Sequence, residues 1–225
     1  MNEAILTPIA HMESDFGTKF GIPRQSLLVE ELKSRIVFEP EYRNMDALRG
    51  IDAYSHLWLI WQFSENLRAE WSPTVRPPRL GGNVRMGVFA TRSPYRPNSL
   101  ALSCVRLERL EEDPTLGPVL AVSGADLMNG TPIFDIKPYL PYSDCIPEAT
   151  TIFAPRPDFT LEVFFSPGTE TVLPPDKREA LTGVLRCDPR PRYHDDPERV
   201  YGMTFAGKDV RFQVTGSILT VLEIL

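Results

Sequence analysis

The sequence predicts a mainly β protein, with a single β-barrel-type N-terminal domain and a small α+β C-terminal domain. Short apolar runs rich in β-branched and aromatic residues recur along the chain, each bounded by Pro, Gly, Asn or Asp. No strong helical period separates successive runs, which argues against the strand–helix alternation of a parallel sheet. Prolines, 22 of the 225 residues, are disfavoured inside helices and central strands, and their number indicates many turns.

The strand predictions rest on residue type and on the turn residues that flank each run. In chain order they cover residues 4–9, 35–38, 54–63, 86–90, 100–107, 119–125, 131–136 and 160–165. Segments 27–33 and 46–49 each favour a short helical turn. Many short strands with this spacing are typical of a barrel or sandwich, and we assign residues 1–155 to the barrel-type domain.

The chain changes character at Pro155-Arg156-Pro157, and residues 156–225 are predicted to form the small α+β domain. A helix is predicted over 176–186, because Asp176 can serve as its N-cap and Glu179 stands three residues later in capping-box spacing. Three further strands are predicted over 200–205, 210–214 and 218–224.

Composition predicts a cytoplasmic protein without a membrane segment or a metal. The longest apolar stretch, residues 57–60 with aromatic residues around it, is far too short to span a bilayer. The first residues lack the basic and apolar regions of a signal peptide. The 3 cysteines are widely spaced, as is typical of reduced cysteines, and the 3 histidines show no metal-ligand spacing.

The formal net charge of −6 argues against a protein that binds nucleic acid through bulk positive charge. The charge is nevertheless unevenly distributed, because residues 71–107 contain six arginines and no acid, so the rest of the chain carries −12. Arginine suits bidentate recognition of phosphate or carboxylate and stacking on bases. An ordinary solvated loop face is the alternative interpretation.

Three segments, residues 19–25, 87–99 and 124–142, combine turn residues with polar and charged side chains. In the second, Pro94 and Pro97 restrict the backbone, as a preorganised ligand loop requires. The first segment alone would be an ordinary turn with a surface arginine.

In the third segment, Asp135 and Lys137 alternate with apolar residues, so a strand would direct both side chains to one face. This pair is either a structural salt bridge or an acid–base pair at the mouth of a pocket. Asp126, at a strand end, is a second candidate carboxylate, able to accept from a ribose hydroxyl or an amine.

The chain lacks the motifs of several large enzyme classes. No G-x-G-x-x-G follows a strand and no P-loop is present, so neither a Rossmann nucleotide site nor an NTPase is supported. A G-x-S-x-G nucleophile elbow is also missing.

The three segments resemble those of the TsaA/TrmO-like family. The resemblance is carried by KFGIPRQ at 19–25, FATRSPYRPN at 89–98 and DLMNGTPIFDIKPYLPY at 126–142, within a similar stretch of about residues 3–145. Residues 188–193 are similar to the domain appended in the bacterial form. The resemblance implies a non-Rossmann, β-barrel methyltransferase that uses S-adenosylmethionine, is usually a homodimer, and methylates N6 of threonylcarbamoyladenosine beside the tRNA anticodon.

The resemblance also implies roles for single residues. The predicted cofactor-binding residues are Arg24, Gln25, Ser26, Phe63, Ser64, Arg92, Leu102, Ser123, Gly124, Ala125 and Asp126. The predicted contacts to the anticodon arm are Arg76, Arg79, Arg85 and Arg96. Motif position and strand alternation suggest Asp135 as proton acceptor, with Asp126 second, and Lys137 or Tyr139 as stabilisers of developing negative charge. The sequence departs from the family at Asn129, Ser99 and Ala101.

Three other functions remain open from the sequence. The same barrel could methylate another substrate, or it could bind cofactor or RNA without turnover. A structural dimerisation domain, whose arginine loop pairs with acids of its partner, is the third.

Overall fold

A computed structural model of the chain describes residues 5–66, 70–77, 84–151, 161–190 and 196–225. Over these residues the protein is mainly β, as predicted, with 12 strands and two α-helices. The strands are β1 Ala10–Glu13, β2 Lys33–Phe38, β3 His56–Gln62, β4 Thr74–Val75, β5 Met86–Gly87, β6 Leu100–Asp113, β7 Gly117–Ser123, β8 Pro132–Pro138, β9 Glu162–Phe165, β10 Val200–Phe205, β11 Lys208–Thr215 and β12 Ile218–Ile224. The α-helices are α1 Pro141–Asp144 and α2 Pro175–Arg186, and short 3-10 helices span Pro40–Tyr42, Met45–Leu48, Ile51–Ala53, Ser64–Asn66 and Val88–Ala90.

Six strands form the sheet of the N-terminal half, in the order β1-β2-β7-β6-β3-β8, and β8 pairs back with β1. Alternation along β3 shows how the sequence builds this sheet, because Leu57, Leu59 and Trp61 are buried while the residues between them are half-buried. The inward side chains pack with Met12, Ile36 and others into one apolar core.

The C-terminal half has a four-stranded sheet, β10-β11-β12-β9, covered by α2. Its core takes in residues from far earlier in the chain: Phe16, Val29 and Leu32 are buried among side chains of α2 and of this sheet. Segment 14–32 therefore leaves the six-stranded sheet and packs on the C-terminal half. The predicted domain boundary at 155/156 lies in 152–160, outside the described residues.

Several predicted elements are corrected. Residues 5–9 of the predicted strand 4–9 are not β structure, and the strand begins at Ala10, where alternating burial starts. Only Met86–Gly87 of the predicted strand 86–90 is extended, because a 3-10 helix follows. Segment 27–33 forms turns rather than a helix, since Leu27 takes a positive φ of 61°.

Helix α2 ends at Arg186 as predicted, but Asp176 does not cap it. The N-cap is Pro174 and Pro175 occupies the first turn, so the proline that presets φ starts the helix one residue earlier.

Candidate functional site

A cleft of about 750 Å³ lies at the end of the six-stranded sheet where β3 ends and β6 begins. Its walls come from segments distant in sequence: the 19–25 turn, the exit of β3, the 91–96 loop, the start of β6 and Asp126. A cleft of this volume, lined by both apolar and polar side chains, is typical of a site that binds a small molecule. The lining residues are Lys19, Ile22, Pro23, Arg24, Gln25, Ile60, Trp61, Gln62, Phe63, Ser64, Glu65, Thr91, Arg92, Pro94, Arg96, Leu100, Ala101, Leu102, Ser103, Asp126, Met128 and Thr131.

The 19–25 turn is held by the C-terminal half. Gly21 lies so close to Met203 of β10 that an added Cβ would come within 2.3 Å of the methionine Cε, and its φ of +96° favours glycine. On the other side of the turn, the Arg24 Nη2 donates to the carbonyl of Arg190 at 3.3 Å. The turn therefore has its position set by the C-terminal half as well as by the sheet.

The strand end that carries Asp126 is fixed by a second close backbone approach. The Leu27 N–H donates to the carbonyl of Gly124 at 2.8 Å, and the Gly124 N–H donates to the carbonyl of Leu32 at 2.9 Å. A Cβ on Gly124 would lie 2.7 Å from the Leu27 side chain and 3.1 Å from its backbone. Only glycine permits this approach, which brings the 19–25 turn next to Asp126.

Asp126 is the acidic centre of the cleft. The Ser103 hydroxyl donates to its Oδ1 at 2.6 Å and itself accepts from the Trp61 Nε1 at 3.0 Å. Burial raises the pKa of Asp126, and this effect outweighs the hydrogen bonds from Ser103 and the Ser26 N–H and the charge of Arg92, which lower the pKa. A carboxyl group held this way is a hydrogen-bond acceptor of fixed direction.

Arg92 supplies positive charge opposite this carboxyl group. Its guanidinium donates to the Gln25 side-chain oxygen, which links the 91–96 loop to the 19–25 turn. Phe63, another lining residue, packs against Trp61 with ring centroids 4.5 Å apart, and the two rings form an aromatic wall. The cleft thus offers a guanidinium for an anionic group, a carboxyl for hydroxyl or amine donors, and an apolar wall for a flat ring.

Most predicted cofactor-binding residues meet in this cleft. Seven of them line it: Arg24, Gln25, Phe63, Ser64, Arg92, Leu102 and Asp126. The other four, Ser26, Ser123, Gly124 and Ala125, are not lining residues; Ser26 contributes its N–H to Asp126, and Ser123 donates instead to Glu108 at 2.6 Å. The sequence analysis did not identify Trp61 and Ser103 as site residues. Their only signal was the alternation along β3 and β6, which directs every second side chain to the interior of the sheet.

The predicted catalytic residues lie together on the outer face of β8. Lys137 Nζ is 2.9 Å from an oxygen of Asp135, so the same-face prediction is confirmed and the pair forms an ion pair. Both are partly exposed and neither lines the cleft, but Asp135 pairs in register with Ile60, which does. Their position is thus next to the cleft wall rather than inside it.

Tyr139 follows on this outer face and packs against Trp58, with ring centroids 5.7 Å apart. Partial burial and the neighbouring Cys145, Cys104 and Asp144 raise the pKa of Tyr139. The phenol therefore keeps its proton, and it forms a hydrogen bond with the Cys145 side chain.

Of the predicted RNA-contacting arginines, one lines the cleft and two lie on the β4–β5 ribbon. Arg76 and Arg85 are exposed and adjoin the paired residues Val75 and Met86 of the β4–β5 ribbon, and Arg79 lies outside the described residues. Arg96 lines the cleft and donates from Nη1 to the carbonyl of Thr91 at 3.0 Å. Cationic groups thus extend from the cleft onto the ribbon.

The described ranges contain neither a metal-binding cluster nor a membrane-spanning helix. No group of three or more His, Cys, Asp or Glu side chains could hold a metal ion there. None of the helices described is long and apolar enough to cross a membrane.

Comparison with known proteins gives consistent matches over both halves of the chain. Residues 11–145 match the family model for the tRNA-methyltransferase O N-terminal domain, and residues 158–225 match that for the TrmO C-terminal domain. A tRNA (adenine(37)-N6)-methyltransferase of Escherichia coli (strain K12) is 38% identical over 218 residues, which cover 92% of each chain.

Another relative, from Pseudomonas aeruginosa PAO1, bears the description putative S-adenosylmethionine-dependent methyltransferase RcsF. It is 38% identical over 215 residues, covering 92% of this chain and 91% of that protein. The crystal structure of TrmO from Pseudomonas aeruginosa superposes with a TM-score of 0.80 at 31% identity and covers 100% of both chains.

Proposed function

The chain belongs to the tRNA-methyltransferase O family, and we propose that it methylates N6 of threonylcarbamoyladenosine beside the anticodon of tRNA. It is an S-adenosylmethionine-dependent tRNA methyltransferase, as the relatives matched over almost its full length are named. The observation that carries the proposal is the cleft, in which the family's three sequence segments converge although they lie up to about a hundred residues apart.

The cleft residues fit S-adenosylmethionine. Arg92 can pair with the carboxylate of its methionine part, since guanidinium and carboxylate match in a bidentate geometry. Asp126 can accept hydrogen bonds from a ribose hydroxyl or the ammonium group, and Phe63 and Leu102 offer apolar surface to adenine. When bound, this cofactor supplies an electrophilic methyl group on a sulfonium sulfur.

Transfer to N6 requires a positioned acceptor and removal of its proton. The accepting nitrogen of the modified adenosine belongs to a ureido-like group, which is a poor nucleophile until the proton leaves. Asp135 is proposed as the proton acceptor because its carboxylate is accessible beside the cleft wall at Ile60, with Asp126 as the alternative. Lys137 and Tyr139 can then stabilise negative charge that develops on the carbamoyl oxygen.

The anticodon arm is proposed to lie along the arginines that extend from the cleft. Contacts of Arg76, Arg85 and Arg96 with phosphates would position the RNA without reading its sequence. The modified base would be splayed out of the loop into the cleft.

Four further properties are part of the proposal. The ladder that returns from β8 to β1 supports a barrel-type N-terminal domain, and the two separate apolar cores support division into two domains near residue 155. Leu102, half exposed on the outer face of β6 and part of the cleft wall, supports a homodimer that covers this face. The family's substrate and the 3 free cysteines support a cytoplasmic location.

Transfer of labelled methyl groups into tRNA tests the function directly. We expect incorporation into tRNA that carries the threonylcarbamoyl group and none into the same tRNA lacking it. Incorporation into both would point to a different acceptor, and cofactor binding without incorporation would indicate a binding module. Replacing Asp135 with Asn should abolish incorporation but leave cofactor affinity unchanged, and full activity of that variant would exclude Asp135 as proton acceptor.

A further inference from the structure

We propose that Trp71 and Phe89 form a platform on which an unpaired base of the RNA substrate stacks, at the rim of the cleft. This inference rests on the proposed function, because it names the surface that holds a nucleotide next to the one that is methylated.

The two rings form an exposed aromatic pair. Their centroids lie 6.1 Å apart with an interplanar angle of 28°, which is a stacked arrangement. Trp71 is 53% exposed and Phe89 71% exposed, so each ring keeps much of its surface open to solvent. Two large aromatic side chains left in contact with water mark an interaction site rather than a piece of core.

The backbone beneath the rings is firmly attached. Trp71 stands just before β4 and Phe89 just after β5, at the base of the two-stranded ribbon that these strands form. Between them, Val88 is 1% exposed and its N–H donates to the carbonyl of Pro73 at 2.9 Å. The rings are therefore presented on a fixed support, which limits the entropy lost when a ligand stacks on them.

The surroundings of the platform select an anionic partner. The guanidinium carbon of Arg96 lies 6.0 Å from the centroid of the Phe89 ring. On the ribbon, Arg76 directly follows Val75 and Arg85 directly precedes Met86, the residue paired with Val75, and both arginines are exposed. Guanidinium groups on the ribbon and beside the Phe89 ring favour a ligand that carries negative charge.

A single-stranded nucleic acid meets both requirements, since its bases stack on aromatic rings while its phosphates pair with arginine. The platform is also close enough to serve the cleft, because Thr91 and Arg96 of the following loop are lining residues. The occupant is therefore a base of the anticodon loop near the modified adenosine, whose neighbours are unpaired and open to stacking.

The test compares alanine and conservative aromatic variants for binding a fluorescein-labelled anticodon stem-loop RNA that carries the threonylcarbamoyl group. Trp71→Ala and Phe89→Ala should each weaken binding by about 10-fold, within the range of ~1–3 kcal/mol measured for loss of one stacked base. Trp71→Phe and Phe89→Tyr should bind within about twofold of the wild type, because they keep a π-face. None of the four should change the slope of log K against log salt, since none removes a charge.

A set of RNAs with one abasic loop nucleotide each identifies the base that stacks. One of these RNAs should bind the wild type about as weakly as intact RNA binds Phe89→Ala. The affinity of that same RNA should not fall further when the protein is Phe89→Ala. Wild-type affinity in both alanine variants, or a loss that adds fully to that of every abasic RNA, would overturn the platform. A sedimentation coefficient that falls in the variants would overturn it too, because the rings would then contact a second copy.

Methyl transfer to the same RNAs separates this inference from the proposed function. If the wild type binds RNA with the predicted dependence on both rings but transfers no methyl group, the platform stands and the proposed reaction fails. If methyl transfer occurs and the alanine variants bind like the wild type, the reaction stands and the platform fails.

Discussion

Lys177 Nζ donates to both carboxylate oxygens of Asp15, at 2.8 and 2.7 Å. Lys177 belongs to α2, and Asp15 stands just before the turn that forms one wall of the cleft, 162 residues away in sequence. The carbonyl of Asp15 also accepts from the Ala206 N–H at 2.8 Å. A residue at the start of the cleft turn is therefore fastened to the C-terminal half by both its side chain and its backbone.

We predict that Lys177→Met weakens cofactor binding by loosening this attachment. The side chain of Asp15 is only 13% exposed, so its carboxylate would be left buried without a partner in Lys177→Met. This should lower the free energy of unfolding by about 1–2 kcal/mol. Cofactor affinity, measured by calorimetry, should fall about 3- to 10-fold because the turn samples other positions.

Arg49→Met is the matched control, since the Arg49–Asp46 pair is 81% and 75% exposed and should contribute almost nothing. Exchanging the charges in Asp15→Lys/Lys177→Asp should restore part of the affinity. If Lys177→Met lowers stability but leaves cofactor affinity unchanged, the C-terminal half does not position the turn.

We predict that Gly21→Ala disturbs the cleft more than the same change at Gly50. Both glycines have a positive φ, +96° and +86°, so both substitutions carry the backbone cost of about 1 kcal/mol. Only at Gly21 does the new Cβ also meet another side chain, the Met203 terminus, whereas nothing lies within 4 Å at Gly50. Cofactor affinity should therefore fall in Gly21→Ala alone, and Met203→Ala in the same chain should recover part of it; equal effects at both glycines would contradict this account.

The strands were predictable where burial alternates in a single sheet. In β3 the alternation is regular, and both ends of the predicted strand lie within two residues of the ends in the structure. The prediction failed where proline or a positive φ decides the conformation, as at Pro175 and Leu27. Helical turns at 27–33 looked favourable locally, but docking of Leu27 against Gly124 overrides that preference.

The site was predictable as three sequence segments but not as a geometry. Arg92 and Asp126 were recognisable from their motifs, and the cleft brings them together. The dependence of the 19–25 turn on α2 and β10 was not recognisable, because contacts such as Gly21 with Met203 join residues with no shared local pattern. Long-range packing of this kind leaves no periodicity in either segment.

Cys104 should react with thiol reagents far more slowly than the other two cysteines. Burial, and the nearby carboxylate of Asp144, raise the pKa of the Cys104 thiol to about 11. At pH 8 only about one thiol in a thousand is then the reactive thiolate. Cys145 and Cys187 are exposed.

Mass spectrometry after timed treatment with iodoacetamide at pH 8 should therefore show Cys145 and Cys187 alkylated first. The rate at Cys104 should rise about tenfold for each pH unit up to about pH 10. Alkylation of Cys104 at the same rate as Cys187 would show that Cys104 is accessible to solvent and that the pKa of its thiol is not raised.

RNA affinity should fall steeply with added salt although the chain is acidic overall. Arg76 and Arg85 are exposed on the ribbon, and each phosphate they neutralise releases counterions. The double variant Arg76→Gln/Arg85→Gln should lower the slope of log K against log salt by about 1.4, at ~0.7 for each contact to single-stranded RNA. Arg211→Gln, on β11 and exposed, is the control and should keep the wild-type slope; a flat salt response of the wild type would exclude the arginine surface.

Asp126→Asn should stabilise the protein at high pH while it weakens cofactor binding. Because burial raises the folded-state pKa of Asp126 above 3.8, its contribution to stability is complete below pH 3.8 and is lost as the pH rises through the folded pKa. The neutral amide does not pay this cost, and its oxygen can still accept from Ser103. The melting temperature of the variant should therefore exceed that of the wild type at pH 8, and the gap should close as the pH falls towards 4.

Asp113→Asn should show the opposite sign and serves as the control. Hydrogen bonds from the Leu116 and Thr115 N–H groups lower the folded-state pKa of Asp113, so this carboxylate stabilises the fold above pH 3.8 and loses that effect as the pH falls through its folded pKa. Asp113→Asn should thus melt below the wild type at pH 8 and bind cofactor normally, since Asp113 lies far along β6 from the cleft. A melting temperature of Asp126→Asn below the wild type at pH 8 would mean that the ionised carboxylate is held by partners strong enough to offset its burial, and Asp126 would then act in the cleft as a fixed anion.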